Sequence, residues 1–188
     1  MTLEHEMSSL ELESDLVEIE DLRVEDFLDF ARYGEVEALQ AIFESEHAAK
    51  LASQDENKIS LLHMAAANGH LECAGLLLKC PQVREVSLNS VNTEGNTPLH
   101  WAALNSHVPL VRLLLENGAD FNIKNSVDRT PFDEAAASGK FEVTAAIIEF
   151  LEKHQEQNQG AADSNSSSNA NNEDDGEDED KDVSEVAN

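Results

Sequence analysis

Between residues 24 and 154, apolar residues come in pairs of short helical clusters, each pair closed by a polar break, and the pattern occurs four times. The clearest copy opens Asn92-Thr93-Glu94-Gly95-Asn96-Thr97-Pro98-Leu99-His100-Trp101-Ala102-Ala103 and closes Val111-Arg112-Leu113-Leu114-Leu115-Glu116-Asn117-Gly118-Ala119-Asp120. Its centre recurs upstream as Ser60-Leu61-Leu62-His63-Met64-Ala65-Ala66-Ala67-Asn68-Gly69-His70. It recurs downstream as Thr130-Pro131-Phe132-Asp133-Glu134-Ala135-Ala136-Ala137-Ser138-Gly139. A worn first copy reads Asp29-Phe30-Ala31-Arg32-Tyr33-Gly34-Glu35-Val36, followed by Leu39, Ile42 and Phe43. In register, Gly34, Gly69, Ser106 and Gly139 fall 35, 37 and 33 residues apart.

Each copy predicts two helices joined by a tight turn. Thr97 and Thr130 stand at N-caps, where a hydroxyl accepts from an amide that the helix leaves unpaired. Pro98 and Pro131 follow at the first helical position, where a missing N–H costs nothing. Gly34, Gly69 and Gly139 suit the turn between helices. Ala65-Ala66, Ala102-Ala103 and Ala135-Ala136 let successive helices approach closely, and Leu77-Leu78, Leu114-Leu115 and Ile147-Ile148 fall on the buried side of the second helix. Gly75 sits inside a second helix, and Pro109 in the first turn of another.

Departures from the pattern are informative. Ser106 takes the turn position of glycine, Lys58 and Asp128 take the loop position of Gly95, and Asp133 takes the place of the histidine. Residues 80–90 read as a loop about four residues longer than the others. Upstream, Leu12, Leu16 and Ile19 have helical spacing with Ser14 as an N-cap, which predicts a partly helical acidic arm over residues 1–23. Residues 155–188 hold no aromatic and almost no branched aliphatic side chain, which predicts a disordered acidic tail. The units fall near 24–54, 55–91, 92–124 and 125–154.

A repeat near 33 residues carrying Thr-Pro-Leu-His resembles the ankyrin family. The resemblance covers residues 24–154 and implies an all-α solenoid of about four helix-turn-helix units with short hairpin loops, flanked by acidic tails. Its outer units act as caps.

Charge then narrows the partners. Of 188 residues, 39 are acidic and 12 are Lys or Arg, a net charge of -27. Residues 1–26 carry -9, residues 155–188 carry -10 and the repeats between them -8. Such a chain repels phosphate, so direct nucleic-acid binding is not expected, anionic membranes are disfavoured, and basic proteins are the expected partners. No apolar run reaches the ~20 residues of a membrane span. Two cysteines, Cys73 and Cys80, are too few for a disulfide framework and read as packing residues. The first residues lack the positive charge and apolar stretch of a signal peptide, and the expectation is a protein of a reducing compartment.

Catalytic chemistry finds no footing. There is no glycine-rich phosphate loop, no Gly-x-Ser-x-Gly elbow and no nucleophile–base pair. His63 and His100 read as structural histidines of the repeat rather than ligands. The expectation is a monomeric binding protein, not an enzyme, without cofactor or metal. Its binding face comprises the hairpin tips and the outward positions of each first helix. The residues that fall there are Tyr33, Met64, Asn68, Glu94, Trp101, Leu104, Asn105, Asp128, Glu134 and Ser138. Trp101, Met64 and Leu104 would anchor an apolar helix of the partner, and Glu94, Asp128 and Glu134 would pair with its basic residues.

A worn first unit, His-Met-Ala-Ala-Ala-Asn-Gly-His from His63, Gly-Asn-Thr-Pro-Leu-His-Trp-Ala from Gly95 and an acidic tail together resemble one fungal group of small acidic ankyrin-repeat proteins. Members of that group are dedicated chaperones of a basic small-subunit ribosomal protein, the one numbered three. The resemblance implies capture of that protein after synthesis and escort from cytoplasm to nucleus in ribosome biogenesis. Two other readings are a generic ankyrin adaptor in signalling or transcription and a histone-binding acidic tail.

Overall fold

The computed structural model describes residues 19–162, with side chains described as far as His154. Among the described residues the structure is helical, apart from one isolated bridge between Gln54 and Ser60. The four first helices are α1 (Val24–Tyr33), α3 (Leu61–Asn68), α6 (Pro98–Leu104) and α8 (Pro131–Ala137). Their partners are α2 (Val36–Glu44), α4 (Leu71–Lys79), α7 (Val108–Glu116) and α9 (Phe141–Ala162), with an extra helix α5 (Pro81–Ser87) after α4. First helices stack in the order α1, α3, α6, α8, and α2, α4 and α7 form the second layer.

Why these helices begin where they do is visible at their caps. Ser60, Thr97 and Thr130 each accept from the N–H three residues on, at His63, His100 and Asp133. Gly34 and Gly69 end α1 and α3 in the left-handed conformation, at φ 77° and 78°. The interior is built from small and aliphatic side chains: Ala31, Ala65, Ala66, Ala102, Ala103 and Ala135 are fully buried between first helices. Leu39, Leu77, Leu114 and Ile147 are buried to within 1 % in the second layer. Each such side chain contributes about 1.5–3 kcal/mol by leaving water.

Among the described residues the compact unit ends at Glu152. Beyond it the described residues are 153–162, the end of α9. That helix runs on to Ala162, past residue 154, where the sequence places the end of the repeats. Residues 152–159 are Glu, Lys, His, Gln and Asn, without Gly or Pro, so nothing there breaks a helix. Residues 155–162, expected as the start of the disordered tail, are thus the end of α9, while the rest of that tail and the arm expected around Leu12 and Leu16 lie outside the described residues. Ile19–Asp21 is a short 3₁₀ turn.

Two more expectations change. Residues 81–87 form α5 instead of a loop. Pro81 occupies its first turn, and Val83 and Leu88 turn inward at 0 % and 6 % exposure. Ile148 is 44 % exposed and Ala136 is exposed, although their counterparts Leu115 and Ala103 are buried. Those counterparts are covered by the next unit, which α8 and α9 lack.

Candidate binding surface

The face made by first helices and hairpin tips is locked by a repeated polar device. In the second unit, Nδ1 of His63 accepts from the Ser60 N–H at 3.3 Å and from the Ser60 hydroxyl at 2.9 Å. Nδ1 therefore carries no proton, and Nε2–H donates to the Asn96 carbonyl of the next hairpin at 3.0 Å. His100 repeats this in the third unit. It accepts from the Thr97 N–H at 3.1 Å, and its Nε2–H donates to the Arg129 carbonyl at 3.0 Å. Both rings are neutral links between a helix start and the following hairpin. Burial pushes the His63 pKa down to about 4, and lowers that of His100 too.

In the last unit Asp133 does only the local half of the work. Its Oδ2 accepts from the Thr130 N–H at 3.0 Å and from the Thr130 hydroxyl at 2.8 Å. Those two bonds hold its carboxyl below the usual range. A carboxylate has no N–H to send onward, and among the described residues no further hairpin follows, so histidine's second nitrogen has no task there.

The hairpin tips also join directly. Thr93 N–H donates to the Asn57 carbonyl at 3.0 Å, Ser126 N–H to the Glu94 carbonyl at 2.9 Å, and Asn125 Nδ2 to Asn96 Oδ1 at 3.0 Å. A side chain at Gly95 would meet the Ser126 nitrogen at 2.9 Å, so the close stacking of the tips demands glycine there. Lys58 and Asp128 hold the same left-handed conformation at φ 60°.

Aligned on the turn, one row of the first helices reads Asp29, Met64, Trp101, Glu134: a carboxylate, two large apolar residues, and a carboxylate. Trp101 is half-buried and stands edge-on to His63, with ring centroids 5.4 Å apart. Met64 is only 9 % exposed. It lies on α3 between α1 and α6, where its flexible side chain fills the space between the neighbouring helices. It therefore belongs to the core, and the expectation that it would stand out as an anchor is corrected. Leu104 remains 39 % exposed and Tyr33 66 %.

Two grooves run along this face. One of ≈ 370 Å³ is lined by Glu94, Asn96, His100, Trp101, Leu104, Asn125, Ser126, Val127 and Glu134. It brings together four of the residues singled out in the sequence. The other, ≈ 300 Å³, lies between α1 and the tip at residues 55–57, lined by Glu25, Leu28, Asp29, Arg32, Asp55, Glu56 and Asn57. The acidic members Glu25, Asp29, Asp55 and Glu56 make it strongly negative. The sequence pattern places Arg32 and the tip residues Asp55 and Glu56 on the outward face. Glu25 and Asp29 come from α1, whose outward positions the worn first copy does not declare.

The other sequence-chosen residues serve the fold in part. Asn68 Nδ2 donates to the Met64 carbonyl at 2.9 Å and Asn105 Nδ2 to the Trp101 carbonyl at 3.0 Å, closing the ends of α3 and α6. Asp128 pairs with Lys124 at 3.0 Å and Glu134 with Arg129 at 3.5 Å. Ser138 is exposed beyond α8, away from the Trp101 groove. Cys73 and Cys80 are buried thiols, and burial raises the pKa of Cys73. Among the described residues, no three His, Cys, Asp or Glu could hold a metal ion, and no helix is long and apolar enough to cross a membrane.

Comparison with known proteins gives consistent matches. The model of ankyrin repeats (three copies) matches residues 28–125. An ankyrin repeat-containing protein of Schizosaccharomyces pombe is 37 % identical over 138 residues, 73 % of this chain and 92 % of that protein. A chain in the crystal structure of the yeast ribosomal protein Rps3 in complex with its chaperone Yar1 is 34 % identical, with a TM-score of 0.61. That match covers 68 % of this chain and 94 % of the other. A homologue of transient receptor potential channel subfamily A member 1 from Caenorhabditis elegans is 33 % identical over 119 residues, 63 % of this chain. The match spans only 9 % of the channel's length, so the likeness is confined to repeats.

Proposed function

The chain belongs to the ankyrin-repeat family, and from that premise we propose that it is a chaperone that carries a newly made, basic small-subunit ribosomal protein. As a module of ankyrin repeats it is a protein-binding unit. What carries the finer reading is one observation: a face with an apolar centre and acidic flanks, on a chain of net charge -27. A ribosomal protein without its RNA exposes Lys and Arg that bind any polyanion. An acidic carrier competes for those groups and steers the encounter, because opposite charges raise association rates. Apolar contacts near Trp101 and Leu104 would then give the complex register. The likeness to a chain from the Rps3–Yar1 complex supports the choice of client. The client's route to the assembling subunit would take the carrier from cytoplasm to nucleus, as a monomer.

The test is a pull-down from cell extract with the full chain, eluted by a salt gradient and read by mass spectrometry. One small-subunit ribosomal protein, recovered stoichiometrically and without ribosomal RNA, supports the proposal. Recovery of signalling or transcription proteins, with ribosomal proteins at background, overturns it in favour of a general adaptor.

A further inference from the structure

The groove beside Trp101 has an unsuitable lining for a purely apolar anchor. Trp101, Leu104 and Val127 give it apolar surface, yet Glu94 and Glu134 line it as well. A leucine or phenylalanine seated there would strip water from both carboxylates and return nothing to them. A guanidinium satisfies the whole lining. Its flat face covers an aromatic ring while its N–H groups reach carboxylates to either side. An ammonium brings charge without a flat face and is held more strongly by water.

The chain already uses part of this arrangement. Arg129 Nη1 lies 3.5 Å from Glu134 Oε2, a long contact, with side chains 47 % and 18 % exposed. The Arg129 backbone is fixed at both ends: its N–H donates to Asn125 Oδ1 at 3.1 Å, and its carbonyl accepts from His100. The side chain can therefore swing away without disturbing the hairpin. The Glu94 carboxylate accepts from Asn96 Nδ2 at 3.1 Å and pairs with no cation among the described residues.

We propose that this groove is a socket for one arginine side chain of the basic partner, and that Arg129 is its resident competitor, releasing Glu134 when the partner's guanidinium enters. The inference rests on the reading of the chain as a carrier of a basic client, and narrows it to one side-chain type at one place.

Trp101 is the only tryptophan of the chain, so its indole reports on the groove alone. The full chain is titrated with N-acetylargininamide, N-acetyllysinamide and N-acetylleucinamide, following the indole N–H by NMR. Saturable shifts are expected for the arginine compound, about threefold or more weaker binding for lysine, and no response to leucine. Arg129→Gln should tighten arginine binding by about two- to fivefold by removing the competitor, and Glu134→Gln should weaken it at least as much. Equal binding of leucine and arginine, or weaker arginine binding in Arg129→Gln, would overturn the socket. These probes need no client. A chain that takes arginine here but captures no ribosomal protein refutes the carrier reading alone. One that captures it without an arginine-specific response refutes the socket alone.

Discussion

His63 shows how one buried side chain ties sequence to pH. Its ring is neutral because Nδ1 must accept from Ser60 while Nε2–H donates to Asn96. Its folded pKa of about 4 lies below the ordinary 6.5. Between those values the unfolded chain binds the proton and the folded chain does not, so stability falls as pH drops from 6.5 toward 4. The loss from this residue is about 3 kcal/mol over that window. His100, also lowered, acts in the same direction. Urea unfolding at pH 7 and at pH 4.5 should show the loss, and His63→Gln, less stable at pH 7, should show a shallower pH slope. An unchanged slope in that variant would refute the link. The histidine's role was legible from its place in the repeat, and so was the substitution by Asp133. That Met64 lies in the core was not, because burial at that position depends on the neighbouring helices and not on the residue's own copy.

Among elements, the turns and second helices separate two kinds of glycine. Gly69 has φ 78°, and a β-carbon there would lie 2.6 Å from Nδ1 of His107 in the next unit. Gly34 meets His70 in the same way. Ser106 escapes because the following unit carries Lys140 in place of that histidine. Gly75, inside α4, has open space around it. Gly69→Ala should therefore cost more than about 1 kcal/mol, while Gly75→Ala should gain about 0.5–1 kcal/mol, both read by urea denaturation. The end unit gives a second contrast. Ile147, 1 % exposed, should cost about 2–4 kcal/mol on change to alanine, whereas Ile148, 44 % exposed, should cost far less. The paired helices of the last three units could be read from caps, prolines and alanine pairs, and those of the first from its register at Gly34 and the spacing of Leu39, Ile42 and Phe43. Helix α5 could not, since a seven-residue helix after Cys80 has too few turns for periodicity to declare it, and the longer spacing suggested only a loop.

For the whole molecule, the charge was legible outright, and the face that uses it was legible in outline. The grooves were not, because each needs residues from a first helix and from a hairpin tip of another unit. Charge sets the expected behaviour of the complex. Binding driven by a net charge of -27 against a basic partner should weaken steeply as salt rises, with a smaller, less salt-sensitive remainder from contacts at the Trp101 groove. The most direct measurement is co-expression of the full chain with the small-subunit ribosomal protein, followed by size-exclusion chromatography with light scattering and a nucleic-acid readout. The carrier reading predicts a soluble one-to-one complex free of RNA that dissociates as salt is raised. A ribosomal protein that stays aggregated or RNA-bound to the same extent with and without this chain would contradict it.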